Sequence, residues 1–170
     1  MKNRTASIIL ALAFVFLFSA CGKSPEEKLK EKTMEKAIEQ STGGKVKVDL
    51  SQDQIKIKDQ HGEATVSAKG NVQIPVDFPG DVYVYPNTKI LIAQTLDGGF
   101  HMLLQSPEAP ESLVNTYKEK MKSNGWKETN AISMGATGIF TYEKDNRQAM
   151  VTISQSEKDK TGIQLQVRKK

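Results

Sequence analysis

The chain has 170 residues, a single cysteine and a formal net charge of +4. One cysteine excludes a disulfide framework within the chain, and 24 basic against 20 acidic residues are too evenly balanced to favour nucleic acid as a partner. A chain of this length forms one ordinary domain, or one domain with a small appendage.

Residues 1–21 have the build of an export signal. Two basic residues precede an unbroken apolar run from Ile8 to Phe18, which is shorter than the roughly 18 residues that a membrane-spanning helix requires. Ser19-Ala20 directly before Cys21 resembles a bacterial lipobox. We therefore predict a lipoprotein signal peptide with lipid attached to Cys21, on the extracytoplasmic side of the cell membrane or the outer membrane. An uncut membrane anchor and ordinary secretion are the alternatives.

Residues 22–44 predict a tether followed by a helix. Ser24-Pro25 and Glu27 form a capping box at its start, and Gly43-Gly44 ends it after Gln40 or Ser41. The helix is highly charged and carries one narrow apolar stripe, formed by Leu29, Met34, Ala37 and Ile38. Two interpretations stay open: the stripe docks the helix on the following sheet, or the helix is a stalk that holds the domain off the membrane.

Residues 45–73 alternate apolar and polar side chains, which predicts a three-stranded antiparallel meander with one face in water. Residues 74–87 contain three prolines and predict a connector, with a short strand at Val82–Val84. This connector is the predicted boundary between the meander and the main domain.

Residues 88–170 predict a domain with the element order ββαββββ. Its helix begins near Ser106 or at Ala109-Pro110. Gly125 is expected at the left-handed position after the helix, which brings Trp126 against Met121. The predicted fold class is α+β: a mostly antiparallel sheet with one packed helix, preceded by the N-terminal helix and the meander.

Three segments in order resemble a group of uncharacterised bacterial lipoproteins. They are the short piece 62–66, the extended stretch 74–86 with its Phe-Pro-Gly-Asp-Val-Tyr-Val-Tyr-Pro text, and a helix that starts at Ser106-Pro107-Glu108 and ends in Gly125-Trp126. The resemblance implies an envelope-anchored protein and carries no catalytic residues with it.

The residues contain no arrangement typical of catalysis. The only cysteine is assigned to lipidation, no nucleophile elbow is present, and the carboxylates do not follow a calcium-loop pattern. His61 and His101 are expected to be solvated surface residues. We therefore predict no enzyme, no metal and no cofactor.

The candidate interaction surface combines lysines of the meander with two tyrosines of the connector: Lys45, Lys47, Lys56, Lys58, Tyr83 and Tyr85. The lysines could instead form an ordinary solvated face, and the tyrosines could pack between the two substructures. The predicted function is a lipid-anchored, non-enzymatic binding or structural module of the cell envelope, with another envelope protein or an anionic envelope polymer as possible partner. The alternatives are a periplasmic assembly factor for another envelope protein and an envelope hydrolase.

Overall fold

The computed structural model describes residues 25–51 and 53–170. It contains two helices and nine strands, and the predicted α+β class and the order ββαββββ of the main domain are both confirmed. The helices are α1 (Pro25–Ser41) and α2 (Pro110–Ser123). The strands are β1 (Lys47–Ser51), β2 (Gln54–Lys58), β3 (Gly62–Val66), β4 (Lys89–Leu96), β5 (Gly99–Ser106), β6 (Lys127–Met134), β7 (Thr137–Lys144), β8 (Arg147–Glu157) and β9 (Lys160–Lys169).

All nine strands form one antiparallel sheet with the order β1-β2-β3-β4-β5-β9-β8-β7-β6. The meander is therefore continuous with the main sheet, because β3 pairs with β4. The division of the chain into a meander and a main domain stays a prediction. None of the described helices is both long enough and apolar enough for a membrane span.

We define the front face of the sheet as the face that α2 covers, and the back face as its opposite. On the front face α2 buries Leu113, Tyr117 and Met121. These side chains join a core built from alternate residues of β5, β7, β8 and β9, namely Met102, Leu104, Phe140, Tyr142, Ala149, Val151, Ile153, Ile163, Leu165 and Val167. The alternation follows from the two-residue period of a strand, which sends every second side chain into the core.

The end of α2 has the predicted geometry. Gly125 has φ +83°, the Trp126 amide donates to the Met121 carbonyl at 3.0 Å, and the Gly125 amide donates to the Lys122 carbonyl at 3.0 Å. This pair of hydrogen bonds is the Schellman motif. Both Trp126 and Met121 are buried, so their predicted place in the core is confirmed.

The N-terminal helix α1 docks on β1, and Ile38 is the half-buried member of the predicted apolar stripe. Its half-buried side chains include Glu31, Glu35 and Ile38, and Glu35 Oε1 accepts a hydrogen bond from the Leu50 amide at 2.6 Å. Leu29, by contrast, is 69% exposed. Of the two open interpretations, the structure therefore has the helix docked. Glu35 takes part because β1 offers α1 a free backbone N–H at the sheet edge, which a carboxylate satisfies and an apolar side chain cannot.

The connector contains no strand at Val82–Val84, so that part of the prediction was wrong. The Val82 amide donates to the Pro79 carbonyl at 3.1 Å, which closes a turn. Two hydrogen bonds then fix the connector to the end of α2 through the Asp81 carbonyl, which accepts from Trp126 Nε1 at 2.9 Å and from Asn124 Nδ2 at 3.1 Å. The segment is held by side chains of the main domain, and not by a strand partner.

Candidate functional site

The space between α2 and the sheet is occupied by the buried hydrophobic core. Met102, Leu113 and Phe140 are completely buried. The Tyr142 hydroxyl is also buried, without a hydrogen-bond partner among the described residues, and this burial raises its pKa. An unpaired buried hydroxyl lowers stability, and we find no functional reason for it.

A groove of about 710 Å³ lies on the front face at the other end of the sheet. Its floor is formed by front-face residues of β2, β3 and β4, and its wall by the chain segment 71–77. The strand register explains why the floor is polar: Lys56 pairs with Thr65, and Thr65 with Ala93. Residues that are directly opposite share a face, so the predicted wet face of the meander is the face that α2 covers farther along the sheet.

The wall of the groove is pinned at both of its ends. At one end, Gln54 Nε2 donates to the Asn71 carbonyl at 2.9 Å, and the buried Val72 donates its amide to the Ile90 carbonyl at 3.2 Å. At the other end, the Phe78 ring meets the Phe100 ring edge to face at 5.5 Å. Between these anchors Ile74 is partly exposed and Val76 is fully exposed. The wall therefore presents apolar side chains that the fold itself does not bury.

The two lysines of the floor differ in their partners. Lys58 Nζ lies 3.7 Å from Glu63 Oε2, whereas Lys56 has no ion pair with any of the described residues. Both side chains are exposed. The groove therefore combines two lysines and the carboxylates of Glu63 and Asp77 with an apolar wall.

The structure brings only part of the predicted interaction surface together. Lys47 pairs with Lys58, and Lys56 lies on the same face, but of these three only Lys56 and Lys58 line the groove. Lys45 precedes β1. Cys21 lies outside the described residues. The use of these residues as an interaction surface stays a prediction.

The two predicted tyrosines lie away from the groove, against the main core. The Tyr83 ring meets the Tyr117 ring at 5.2 Å and the Tyr85 ring at 6.3 Å. The Tyr117 hydroxyl accepts a hydrogen bond from the Tyr85 amide at 3.3 Å. Burial raises the pKa of Tyr83 and of Tyr117. The two tyrosines therefore pack inside the molecule, where they join the connector to α2.

The two histidines lie in different environments. His61 is exposed in the turn before β3, as predicted. His101 lies on the back face of β5, where its Nε2 is 2.8 Å from Gln164 Nε2. It faces away from the core, as predicted, but it is half-buried and not an exposed surface residue, and this burial lowers its pKa. Neighbouring back-face side chains shield it, because a sheet places cross-strand neighbours close together.

A cluster of charges that the sequence analysis missed holds the connector in place. Asp81 accepts two hydrogen bonds from Arg147, at 2.9 and 2.7 Å, and lies 2.8 Å from Lys144 Nζ. The Arg147 hydrogen bonds are the main reason why the pKa of Asp81 falls from 3.8 to about 2. The Arg147 guanidinium also lies over the Trp126 ring at 5.1 Å. This set has a structural explanation, since each member fixes the connector to the end of α2.

Comparison with known proteins gives one match. A family model described as START domain-like matches residues 91–162. That range covers less than half of the chain and runs from β4 into β9, with α2 between them. No curated protein and no solved structure matches the chain. The similarity indicates a ligand-binding module and is compatible with a role other than catalysis.

The groove and the matched range overlap only at the floor. Ala93 and Thr95 belong to both, whereas the wall and both lysines lie outside the match. The sequence signal for the groove was the alternation of lysines with isoleucines in β2. The missing information was the pairing of β3 with β4, which joins the polar face of the meander to the main sheet.

Proposed function

We propose that this chain is a non-enzymatic binding module that takes an anionic ligand with an apolar part in the groove, and that lipid on Cys21 holds it at the extracytoplasmic face of a bacterial membrane. The observation that carries the proposal is the position of Lys56, which forms no ion pair with the described residues, in the same groove as the exposed wall residues Ile74 and Val76. The START domain-like match supports the ligand-binding part.

The size and the lining of the groove fit such a ligand. Small-molecule sites typically have volumes of roughly 300–1,000 Å³ and place a few polar groups among apolar ones. Lys56 supplies the local cation for the anionic part of the ligand. Because Lys58, Glu63 and Asp77 also line the groove, the attraction depends on the position of Lys56 and not on a net positive field. Covering Val76 and Ile74 would add about 25 cal/mol for each Å² of apolar surface removed from water. The filled core under α2 makes the groove the favoured location among the described residues.

The ligand class is tested with dodecyl phosphate, a single-chain phosphate amphiphile, below its critical micelle concentration. Calorimetric titration of the protein should give saturable binding, and Lys56→Gln should weaken it about tenfold or more, since a hydrogen bond to a charged group contributes roughly 1.5–3 kcal/mol. Val76→Asp should weaken binding as well. Inorganic phosphate should compete only weakly, because it lacks the apolar part.

Lys47→Gln is the matched control, since Lys47 lies on the same face of the sheet but outside the groove. Its binding should equal that of the parent protein. Equal weakening by the Lys47 and Lys56 variants would show a general charge effect and contradict the groove as the site.

The anchoring part is tested separately with metabolic labelling by a fatty-acid analogue. The Cys21→Ser variant should lose the label and keep its signal peptide, because lipid attachment precedes cleavage at a lipobox. Two acyl chains suffice for stable anchoring at about 0.8 kcal/mol for each buried methylene. A Cys21→Ser variant that is still labelled would contradict the anchor while leaving the groove untouched.

A further inference from the structure

The two edges of the sheet differ in how they are protected. At one edge, α1 covers β1, and Glu35 accepts the hydrogen bond that the Leu50 amide would otherwise offer. At the other edge, β6 pairs with β7 alone, and no described segment pairs with its outer side. All eight residues of β6 are exposed. An open edge presents a row of unpaired N–H and C=O groups that another strand can bind.

The turn before β7 determines which backbone groups of β6 point outward. Gly135 and Ala136 form a two-residue turn between the strands, and Gly135 has φ +58°. Positive φ at the first turn residue is the geometry of a type II′ hairpin, in which the flanking Met134 and Thr137 exchange hydrogen bonds. Hydrogen-bonded and non-hydrogen-bonded pairs alternate along a hairpin. The free N–H and C=O groups of β6 therefore belong to Ser133 and Ala131.

The outer half of β6 lacks the devices that usually prevent edge pairing. From Thr129 to Met134 the strand contains neither a charged residue nor proline. The one irregularity in its pairing lies between Glu128 and Asn130, near the beginning of the strand. On the back face, Ile132 is 43% exposed and Met134 is 68% exposed. Natural edges are commonly blunted by lysine, proline or a bulge, and here these features are absent beyond Thr129.

We infer that β6 pairs edge to edge with β6 of a second copy of this chain, antiparallel and centred on Ile132. In this register Ala131 exchanges hydrogen bonds with the second copy's Ser133, and a two-fold axis repeats the pair on the other side of Ile132. The groups that the turn leaves free are therefore the groups that this register uses. The interface is isologous, as closed dimers require.

Side chains favour the same register. Ile132 pairs with Ile139 of β7 on the back face. A two-fold axis at Ile132 places Ile132 against the second copy's Ile132 and extends this pair into a row of four isoleucines. Cross-strand pairs of β-branched residues stabilise sheets. The paired segment has no charged residue, so the two copies do not repel each other there.

The proposed contact between the two β6 strands is small, so the dimer that it forms is weak. A paired segment of about six residues is roughly 20 Å long at about 3.3 Å for each residue, and such an edge contact buries less than the ~1,200–2,000 Å² of a stable interface. The dimer is therefore expected to be weak and to depend on protein concentration. The inference does not depend on the proposed ligand or on the lipid anchor.

Register-specific disulfide formation in the full-length protein tests the inference. Ile132→Cys should form a disulfide-linked dimer under mild oxidation, because Cα atoms of a non-hydrogen-bonded pair lie about 4.5 Å apart, within the range that a disulfide bridges. Asn130→Cys and Met134→Cys should each remain monomeric alone and crosslink when mixed, since these positions oppose each other. The parent protein shows how much crosslinking comes from Cys21 alone. Lys47→Cys is the control for a cysteine on the opposite edge of the sheet.

Ser133→Pro provides a second test that preserves the fold. Its N–H points away from β7, so proline removes no hydrogen bond of the β6–β7 ladder, and proline is tolerated at sheet edges for this reason. We expect an unchanged melting temperature and at least a tenfold loss of dimer in sedimentation experiments. Crosslinking of Ile132→Cys no faster than Lys47→Cys, or crosslinking of Met134→Cys alone at the same rate, would overturn the register. A Ser133→Pro variant that dimerises normally would overturn the edge contact.

Discussion

The two halves of the sheet bury opposite faces. In the half formed by β5, β9, β8 and β7, the front face is apolar and lies under α2. In the half formed by β1, β2 and β3, the front face is polar and the apolar residues lie on the back. One front-face row across the strands shows the change: Asp49, Lys56, Thr65, Ala93, Met102, Leu165, Val151 and Phe140.

The neighbouring back-face row changes in the opposite direction. It is apolar from β1 to β5, polar in β9 and β8, and ends with an isoleucine in β7: Leu50, Ile55, Val66, Ile92, Leu103, Gln164, Thr152 and Ile139. The crossover falls at β4, where Ala93 faces the core and Ile92 faces the back. One alternation rule therefore places the apolar residues on opposite faces in the two halves, and the groove lies on the front face beyond the part that α2 covers.

The largest change in the free energy of unfolding is expected at Trp126, which is buried in the half of the sheet that α2 covers. Trp126→Ala should lower the free energy of unfolding by about 3–5 kcal/mol, because the indole is buried and its truncation leaves a cavity. It also removes the hydrogen bond to the Asp81 carbonyl. Chemical denaturation measures the change. Leu96→Ala, at an exposed position, should stay within about 0.5 kcal/mol, and an unchanged midpoint for Trp126→Ala would contradict its place in the core.

A matched pair of isoleucines compares the two halves directly. Ile153→Ala lies in the completely buried core and should cost about 2–5 kcal/mol. Ile57→Ala lies on the half-buried back face of β2 and should cost about 1 kcal/mol, in proportion to the smaller apolar area that it buries. Denaturant titration of both variants checks this. Equal costs would mean that the back face is as well packed as the front.

The backbones of β3 and β4 come very close together at the beginning of β3. A Cβ on Gly62 would lie 1.8 Å from the Thr95 carbonyl oxygen, so Gly62→Ala should force β3 away from β4 and cost about 3 kcal/mol. Hydrogen exchange should speed up in β1, β2 and β3 and remain slow in β5 and β9. Gly80→Ala is the comparison, because a Cβ there meets no atom within 4 Å and its φ is not positive. Uniformly faster exchange across the sheet would show that the two halves unfold as one unit.

A smaller change in the free energy of unfolding, with a defined pH dependence, is expected at Asp81 in the connector. The folded-state pKa of Asp81 is about 2, below its ordinary value of 3.8, so the charge pairs stabilise the fold by about 2 kcal/mol at neutral pH. This stability is present above pH ~4 and is lost as pH falls through about 2. Asp81→Asn should remove it at neutral pH, whereas Asp97→Asn, at an exposed position, should not. Urea titrations at pH 7 and pH 2.5 should show the difference between parent and Asp81→Asn narrowing in acid.

Local features of the sequence predicted much of this fold. The cap at Gly125 depends on neighbours in sequence, and strand faces follow from alternation, so both could be predicted without knowing the partner strands. The charge cluster at Asp81 could not, because Lys144 and Arg147 lie far away in sequence and reach it only after α2 and β7 are in place. The facing of α1 also escaped prediction, because the free amide of Leu50 exists only once β1 becomes an edge strand.

The same distinction between local patterns and long-range contacts applies to the candidate site. The pattern predicted that Lys47, Lys56 and Lys58 share a polar face, and the register agrees. It did not predict the wall of the groove, since that segment is positioned by Asn71 against Gln54 and by Phe78 against Phe100. Contacts of this kind depend on the order of strands in the sheet, which no local pattern contains.

The place of β9 bears on how the chain reaches its folded state. β9 comes last in sequence among the described strands, yet it lies between β5 and β8 in the middle of the sheet. Its pairing brings Met102 beside Leu165, and contacts between residues so distant in sequence make folding slow. The hydrophobic core therefore cannot close until β9 has been added. This order fits the export proposed above, because a chain that lacks β9 has no closed core.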